Sequence, residues 1–178
     1  MIRRWVRFVS ALTAFGACSG VTIAWAQTVP QPLRQMDHSA WTARDGAPQA
    51  INRLAQAADG TLWVGSDTGL YNFDGQSFRL FKSPAGQPDL PSAQVFSILV
   101  TKAGALWVGL REAGVARISK GRVEVFSSLD TEPLVLVTDL REAADGSIWA
   151  LGNQRVLMRF GSDETWHREP TPSSTRGR

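Results

Sequence analysis

Three aspartates that recur along the chain have the clearest capacity for chemistry. Asp59, Asp74 and Asp145 each stand directly before a glycine. Paired carboxylates can act as general acid and general base in hydrolysis. Asp-Gly is also the sequence of tight type I′ hairpin turns, whose two central residues need φ > 0, which glycine adopts freely and aspartate tolerates. Because turn formation accounts for all three aspartates, we expect hairpins at these positions and no catalytic site.

Metal binding and nucleophilic catalysis have little support in the residue types. His38 and His167 are the only histidines, they lie far apart in the sequence, and the one cysteine is Cys18. A zinc site needs several closely placed His, Cys or carboxylate ligands. The chain also lacks the Gly-x-Ser-x-Gly elbow that presents a nucleophilic serine. We therefore expect no metal, no cofactor and no enzyme activity.

The elements that carry these turns repeat with a regular period. An aliphatic residue followed by tryptophan comes after a turn three times, and Trp63, Trp107 and Trp149 are 44 and 42 residues apart. Such a period, with several short strands in each unit, is typical of β-propeller blades. We predict an all-β fold: a partial β-propeller of about three four-stranded antiparallel blades, at residues 50–90, 91–133 and 134–168.

The third unit and the flanking segments depart from the repeat. The stretch Gly152-Asn153-Gln154-Arg155 lacks the glycine found at Gly69 and Gly114, and the last strand of this unit is polar. In the N-terminal segment, residues 27–49, we predict a lone strand over 38–48, of the type that closes a propeller ring. Residues 169–178 are rich in Pro, Ser and Arg and are predicted to be disordered.

Two sets of residues follow from the repeat. The first is a packing core, because large aromatic side chains must be buried where blades stack; it comprises Trp63, Trp107, Trp149, Phe73 and Phe126. The second lies in the loop after the tryptophan strand, which recurs once per blade with varied chemistry, as a ligand-binding rim does; it comprises Ser66, Asp67, Arg111, Glu112, Asn153 and Arg155. Simple tolerance of loop variation stays open as the alternative.

The first 26 residues have the features of an export signal. Arg3, Arg4 and Arg7 precede an apolar stretch, and Ala24-Trp25-Ala26 is a small-x-small cleavage pattern that predicts Gln27 as the first mature residue. An uncleaved membrane anchor is the alternative, and export by the general or the twin-arginine route stays open. The three arginines account for the net charge of +3. A neutral mature chain has no overall attraction for nucleic acid, and we expect no mature transmembrane segment.

The repeats resemble a known family. Residues 51–81 and 95–126 are similar to two-component regulator propeller repeats, most closely at Gly69-Leu70-Tyr71-Asn72-Phe73-Asp74-Gly75. The resemblance covers roughly residues 36–168. It implies the periplasmic sensor region of a histidine kinase or diguanylate cyclase, in which propellers precede a β-sandwich, a membrane helix and the output domain. The chain has none of the kinase or cyclase motifs, so we expect a truncated member.

The sequence thus predicts an exported, ligand-sensing propeller fragment without an output domain, located in the periplasm or secreted. Its expected partners are the remaining propeller blades or another copy of the chain, and a glycan or small ligand. Two alternatives stay open. One is a self-assembling interaction scaffold, because exposed blade edges recruit partners; the other is a fragment of a propeller lyase or glycosidase.

Overall fold

The computed structural model describes residues 39–170. The predicted signal peptide, its cleavage site at Ala26/Gln27 and most of the predicted disordered tail lie outside the described residues. Within residues 39–170, no helix has the length and apolar character needed to cross a membrane.

The chain forms three consecutive four-stranded antiparallel sheets, each with its strands in sequence order. Blade 1 contains β1 (Ile51–Gln56), β2 (Leu62–Ser66), β3 (Gly69–Phe73) and β4 (Phe78–Leu80). Blade 2 contains β5 (Val95–Val100), β6 (Leu106–Leu110), β7 (Gly114–Ser119) and β8 (Arg122–Phe126). A small hairpin of β9 (Ser128–Leu129) and β10 (Glu132–Pro133) follows. Blade 3 contains β11 (Val137–Glu142), β12 (Ile148–Gly152), β13 (Leu157–Phe160) and β14 (Trp166–Glu169).

This architecture confirms the predicted all-β partial propeller. The degenerate third unit still folds as a complete blade, although a short 3-10 helix, Asn153–Arg155, replaces the simple turn after β12. The predicted disordered tail begins too early, because Glu169 belongs to β14 and its carboxylate accepts a hydrogen bond from Arg159 at 2.8 Å. The β9–β10 hairpin has no counterpart in the sequence prediction.

The predicted lone strand before blade 1 is wrong for the residues the structure describes. Ala43–Asp45 is a single 3-10 turn, and the stretch from Ser39 to Pro48 contains no strand. Thr42 and Asp45 form a capping box in which each side chain accepts from the other's backbone N–H, and Gly46 ends the turn in the left-handed region, with φ of 81°. Local capping therefore satisfies backbone groups that a strand would have paired.

The predicted type I′ turns at the Asp-Gly sites are also wrong. At Asp59-Gly60 only the glycine has positive φ, at 88°. The amide of Gly60 bonds to the carbonyl of Ala57, and the Asp59 carboxylate accepts from the Thr61 amide at 2.9 Å. Asp145-Gly146 repeats this pattern with Ser147. These are longer hairpin connections with one left-handed residue, in which aspartate acts through its side chain.

The tryptophan of each second strand occupies the same register. Trp63, Trp107 and Trp149 pair across the sheet with Asn72, Arg117 and Arg159 of the third strand. We call the side of a blade that carries this tryptophan its forward face and the opposite side its back face. The forward face of blade 1 packs on the back face of blade 2, and that of blade 2 on blade 3.

Burial of the predicted aromatic core differs from blade to blade. Trp107 is 3% exposed and lies in an aromatic cluster with Phe126, Phe160 and Trp166 at centroid distances of 6.0, 4.9 and 5.7 Å. Trp63 is half-buried against Phe81. Phe73 is buried but lies on the back face of blade 1, in edge contact with Trp41. Trp149 is half-buried on the forward face of blade 3.

Two glycines set the spacing between blades. A Cβ atom on Gly65 would lie 2.5 Å from the Cγ1 of Val95, and one on Gly109 would lie 2.6 Å from the carbonyl oxygen of Val137. Val95 and Val137 begin the first strands of blades 2 and 3. The first strand of each following blade therefore rests directly on the backbone of the tryptophan strand before it.

We expect Trp107→Ala to lower the free energy of unfolding by about 3–5 kcal/mol, because it empties a buried aromatic site. Trp149→Ala is the matched control, since the same residue at the same register is half-buried, and a clearly smaller loss is expected. Urea unfolding followed by far-UV circular dichroism measures both. Equal losses would contradict the assignment of Trp107 as the inter-blade anchor.

We also expect Gly109→Ala to destabilise the fold by about 1–3 kcal/mol, because the added methyl group overpacks the contact with β11. Gly146→Ala is the control: a Cβ there meets open space, although the positive φ of 85° carries its own strain. In calorimetric unfolding, Gly109→Ala should shift the midpoint further than Gly146→Ala, and a smaller shift would argue against close backbone contact between blades 2 and 3.

Candidate functional site

The loops proposed as a rim all lie at one end of the blades. Each connects the second strand to the third, at residues 67–68, 111–113 and 153–156. Antiparallel order places these loops at the same end as the connections from one blade to the next, and places the other two hairpin connections of each blade at the opposite end. The predicted rim residues are thus brought to a common edge, but their environments differ.

In blade 1 the rim residues have structural roles. Ser66 is fully buried, and its hydroxyl accepts from the Thr68 amide and lies 3.0 Å from the carbonyl oxygen of Gly69. This leaves Ser66 no surface to offer a ligand. The Asp67 carboxylate accepts from the Asn52 amide at 2.8 Å, and the same amide group donates to the Val95 carbonyl of blade 2 at 3.0 Å. Asp67 therefore helps to hold blade 1 against blade 2.

In blade 2 the rim loop is fixed through its backbone. Arg111 donates its amide to the Gln94 carbonyl at 3.0 Å, and the Glu112 amide donates to the Val135 carbonyl. Glu112 has a φ of 59°, a left-handed conformation held by this bond to the connection that precedes blade 3. The side chains of Arg111 and Glu112 point to solvent, with 3.8 Å between the Arg111 Nε and the Glu112 Oε1. They are available for contact and do not line either of the two cavities described below.

The rim loop of blade 3 borders a cavity that we call the hairpin pocket. Its volume is about 370 Å³, and it lies between the β9–β10 hairpin and the Asn153–Arg155 turn. The lining residues are Leu129, Glu132, Pro133, Leu134, Val135, Asn153, Val156 and Arg168. Arg155 has a φ of 61° and an exposed side chain. It is close to the lining residue Asn153 in the sequence but does not line the hairpin pocket.

The hairpin pocket combines an apolar floor with a polar edge. Leu129 and Leu134 are buried beneath it. At its edge the Arg168 Nη2 lies 2.8 Å from the Glu132 Oε2, and both side chains are substantially exposed. Asn153 adds an amide that can donate and accept. An apolar surface with a few placed polar groups is the usual composition of a small-molecule site, and the volume lies within the usual range.

A second cavity lies between blades 2 and 3 at the opposite end. We call it the charged cleft; its volume is about 490 Å³, its floor includes Trp107 and Phe160, and its charged lining residues are Arg117, Arg159, Glu142, Asp145 and Glu164. Arg117 is hydrogen-bonded to carboxylates of both blades in this cleft. Its Nε donates to Glu124 at 2.6 Å and its Nη2 donates to Glu164 of blade 3 at 3.0 Å.

Arg117 also contacts two aromatic rings. Its guanidinium carbon lies 5.7 Å from the centroid of Trp107 and 5.4 Å from that of Phe160. Burial disfavours its charge, but the hydrogen bonds that Arg117 donates to Glu164 and Glu124 outweigh this and raise the pKa of Arg117 above its ordinary value. With two carboxylates and two rings engaged, Arg117 joins blade 2 to blade 3. The charged cleft is therefore best explained as an interface.

The turn aspartates each accept hydrogen bonds within their own turn. The backbone amides of Ser77 and Gln76 lower the pKa of Asp74, and the hydroxyl and amide of Ser147 lower that of Asp145. The amide of Thr61 has the same effect on the pKa of Asp59. Among residues 39–170, no three His, Cys, Asp or Glu side chains are grouped so that they could hold a metal ion.

Sequence reasoning missed Glu132 and Arg168 of the hairpin pocket, and Arg117 of the charged cleft. Glu132 and Arg168 are 36 residues apart in the chain and meet only because the β9–β10 hairpin folds back toward β14. Arg117 and Arg159 each pair with the tryptophan of their own blade. An alignment of the strands of the repeated units would have revealed this recurring arginine.

The aspartate hydrogen bonds predict the response of stability to acid. Asp59, Asp74, Asp145 and Asp163 all have a pKa below the ordinary 3.8. The stability that these four carboxylates contribute is therefore fully present above pH 3.8, and it is lost as the pH falls through their lower pKa values in the folded state. We expect the thermal midpoint to fall over that range, and Asp74→Asn to reduce the fall.

Asp89→Asn, in the exposed connection between blades 1 and 2, is the matched control for this acid titration. The acid dependence of the midpoint should change more in Asp74→Asn than in Asp89→Asn. A curve for Asp74→Asn that superimposes on that of the unchanged chain would contradict the role assigned to the Asp74 turn.

Comparison with known proteins supports the fold. No protein-family model matches the chain, and no curated protein matches it. Among solved structures, the extracellular domain of a protein described as a hybrid two-component system of B. thetaiotaomicron superimposes with a TM-score of 0.63 at 13% identity, over 72% of this chain and 19% of that one. The extracellular domain of a one-component system of the same organism gives 0.57 at 22% identity, over 68% and 17%.

An enzyme shares the same architecture. Virginiamycin B lyase from Staphylococcus aureus superimposes with a TM-score of 0.55 at 16% identity, over 74% of this chain and 45% of the lyase. The chain thus spans less than half the length of each of these proteins. At these identities the likeness establishes the propeller-like fold, which sensors and a lyase share.

Proposed function

We propose that this chain is the ligand-binding propeller portion of an exported sensor in a two-component or cyclic-dinucleotide signalling system. The hairpin pocket carries this proposal, because it lies at the predicted rim and combines a buried apolar floor with the Glu132–Arg168 pair and Asn153. The fold shared with two extracellular sensor domains agrees with it. The chain supplies recognition, and the output step belongs to a separate domain.

A glycan fits the chemistry of the hairpin pocket. The carbon-bound hydrogens of a sugar ring can lie against Pro133 and Val135, the exposed apolar residues of the lining. The guanidinium of Arg168 and the carboxylate of Glu132 can then donate to and accept from neighbouring hydroxyl groups. Because β9 and β10 connect blade 2 to blade 3 and Arg168 belongs to blade 3, a ligand bound here would hold the connection and blade 3 together. This offers a route from binding to a change in inter-blade packing.

Titration calorimetry with a set of soluble neutral and acidic oligosaccharides tests the proposal. We expect one sugar class to bind, and Arg168→Ala to weaken it about 10-fold or more, since losing a charge-assisted hydrogen bond costs about 1.5–3 kcal/mol. Arg111→Ala is the control: Arg111 lies at the same rim but outside the pocket. Absence of binding, or an equal loss with Arg111→Ala, would argue against recognition at the hairpin pocket.

A scaffold role has one specific observation in its favour. Ile51, Leu54 and Leu80 are 47%, 57% and 48% exposed on blade 1. Exposed apolar residues on a sheet favour contact with a partner, which under the sequence prediction is further blades or another copy. A sedimentation coefficient that rises with concentration in the unchanged chain, and not in Leu54→Glu, would support this role. A single invariant species would count against it.

A lyase role has weaker support. His167 is the one histidine among the described residues. Its Nε2 is hydrogen-bonded to the Asp163 carboxylate at 2.8 Å and to the Thr165 hydroxyl at 2.9 Å. It lies on the last strand of blade 3, away from the hairpin pocket lining. We propose that the chain has no enzyme activity.

A further inference from the structure

The forward faces of the three blades can be compared residue by residue, because the strand registers are equivalent. In each blade, the residue two places after the tryptophan pairs with the equivalent residue of the third strand. Gly65 pairs with Leu70, Gly109 with Val115, and Leu151 with Leu157. In blades 1 and 2 this residue is a glycine, and in blade 3 it is a leucine.

The leucine occupies space that a following blade would need. At Gly65 and Gly109 even a single added carbon would collide with the first strand of the next blade. Leu151 carries four side-chain carbons at the equivalent place and is 37% exposed. A further blade could not approach blade 3 at the spacing seen at the other two interfaces unless Leu151 or the backbone moved.

Two more positions on the forward face of blade 3 are charged where the other blades are apolar. Arg141 pairs with Trp149 at the place that Ala55 and Leu99 hold beside Trp63 and Trp107. Glu169 pairs with Leu157 at the place that Phe126 holds in blade 2, where it joins the aromatic cluster around Trp107.

These charges form ion pairs within blade 3. The Arg141 Nε lies 3.4 Å from the Asp139 Oδ2, and the Arg159 Nε lies 2.8 Å from the Glu169 Oε1. A blade stacked here would remove both pairs from water, and this desolvation opposes docking. The Trp107 face also carries a pair within its own blade, Arg117 with Glu124, but there Arg117 gains a second carboxylate, Glu164 of the next blade.

We propose that blade 3 is an end cap: its forward face excludes a further four-stranded blade, and specifically blocks head-to-tail docking onto blade 1 of a second copy. Blade 1 is receptive to such docking. Leu54, Tyr71 and Leu80 form one cross-strand line on its back face, equivalent to the line of Ile98, Ala116 and Val125 that receives blade 1 on blade 2. A receptive face at one end and a permissive face at the other would allow open polymers or rings.

A polar surface that opposes stacking is the usual means of preventing such growth in repeat proteins. This inference does not depend on ligand binding at the hairpin pocket. Under this proposal, a scaffold assembles only through contacts that blade 1 makes and that do not involve blade 3.

Disulfide trapping tests the cap. In a head-to-tail contact of the kind seen between blades, position 144 of one copy would face position 56 of the next, as Lys102 faces Glu142. We would mix a Gln56→Cys chain with an Ala144→Cys chain, both carrying Cys18→Ser and both retaining Leu151, Arg141 and Glu169, and oxidise with copper phenanthroline. No cross-linked dimer between the two chains is expected. A dimer formed in high yield would overturn the proposal.

The matched experiment restores the interface. Adding Leu151→Gly, Arg141→Leu and Glu169→Phe to the Ala144→Cys chain should produce the cross-linked dimer with Gln56→Cys, and Leu54→Glu in the Gln56→Cys chain should abolish it. A restored chain that folds, by circular dichroism, and still gives no cross-link would show that these residues do not block docking. If the three restoring changes together prevent folding, Leu151→Gly with Arg141→Leu in the Ala144→Cys chain is measured in the same way, and the same two outcomes apply.

Discussion

Face-to-face stacking of blades is the interaction on which this structure depends. A four-stranded sheet of this size buries too little apolar surface to be stable alone, so each blade needs a neighbour. Trp107 packs against Phe160 and Trp166 of blade 3, and Gly109 allows β11 to rest on the backbone of β6. Trp107 and Gly109 have complementary effects on the interface. The Trp107 ring fills the part where the two blades are far apart, and Gly109, which has no side chain, allows the blades to approach closely elsewhere.

Polar groups at the interface between blades 2 and 3 fix its geometry. Arg117 binds carboxylates from both blades while lying against two aromatic rings. Ser97 donates its hydroxyl to the Val137 carbonyl at 2.9 Å in a fully buried position. Such groups are costly to leave unpaired, so they favour one arrangement of the two blades over slipped alternatives. The interface between blades 1 and 2 has a smaller polar set, centred on Asn52.

The two ends of the blades therefore have different roles. At one end, the charged cleft consists mainly of groups already bound to one another across an interface. At the other end, the hairpin pocket has an exposed ion pair and an amide above buried leucines. Under the proposed function, recognition and stacking lie at opposite ends of the blades, so that the chemistry of the rim can vary while the blades remain packed.

The sequence by itself determined the fold class, the number of blades and the shared register of Trp63, Trp107 and Trp149, because these follow from a repeated local pattern. It also predicted the rim loops as a ligand site, and of the residues named there Asn153 lines the hairpin pocket. It predicted wrongly at Ser39–Pro48 and at the Asp-Gly turns, where side chains bind backbone amides that the sequence pattern alone does not reveal. Only the tertiary structure decided that Ser66 is buried, that Glu132 meets Arg168, and that Leu151 stands where Gly65 and Gly109 admit a neighbour. These depend on which surfaces meet, and contacts between residues distant in the chain are set by packing, which no local pattern specifies.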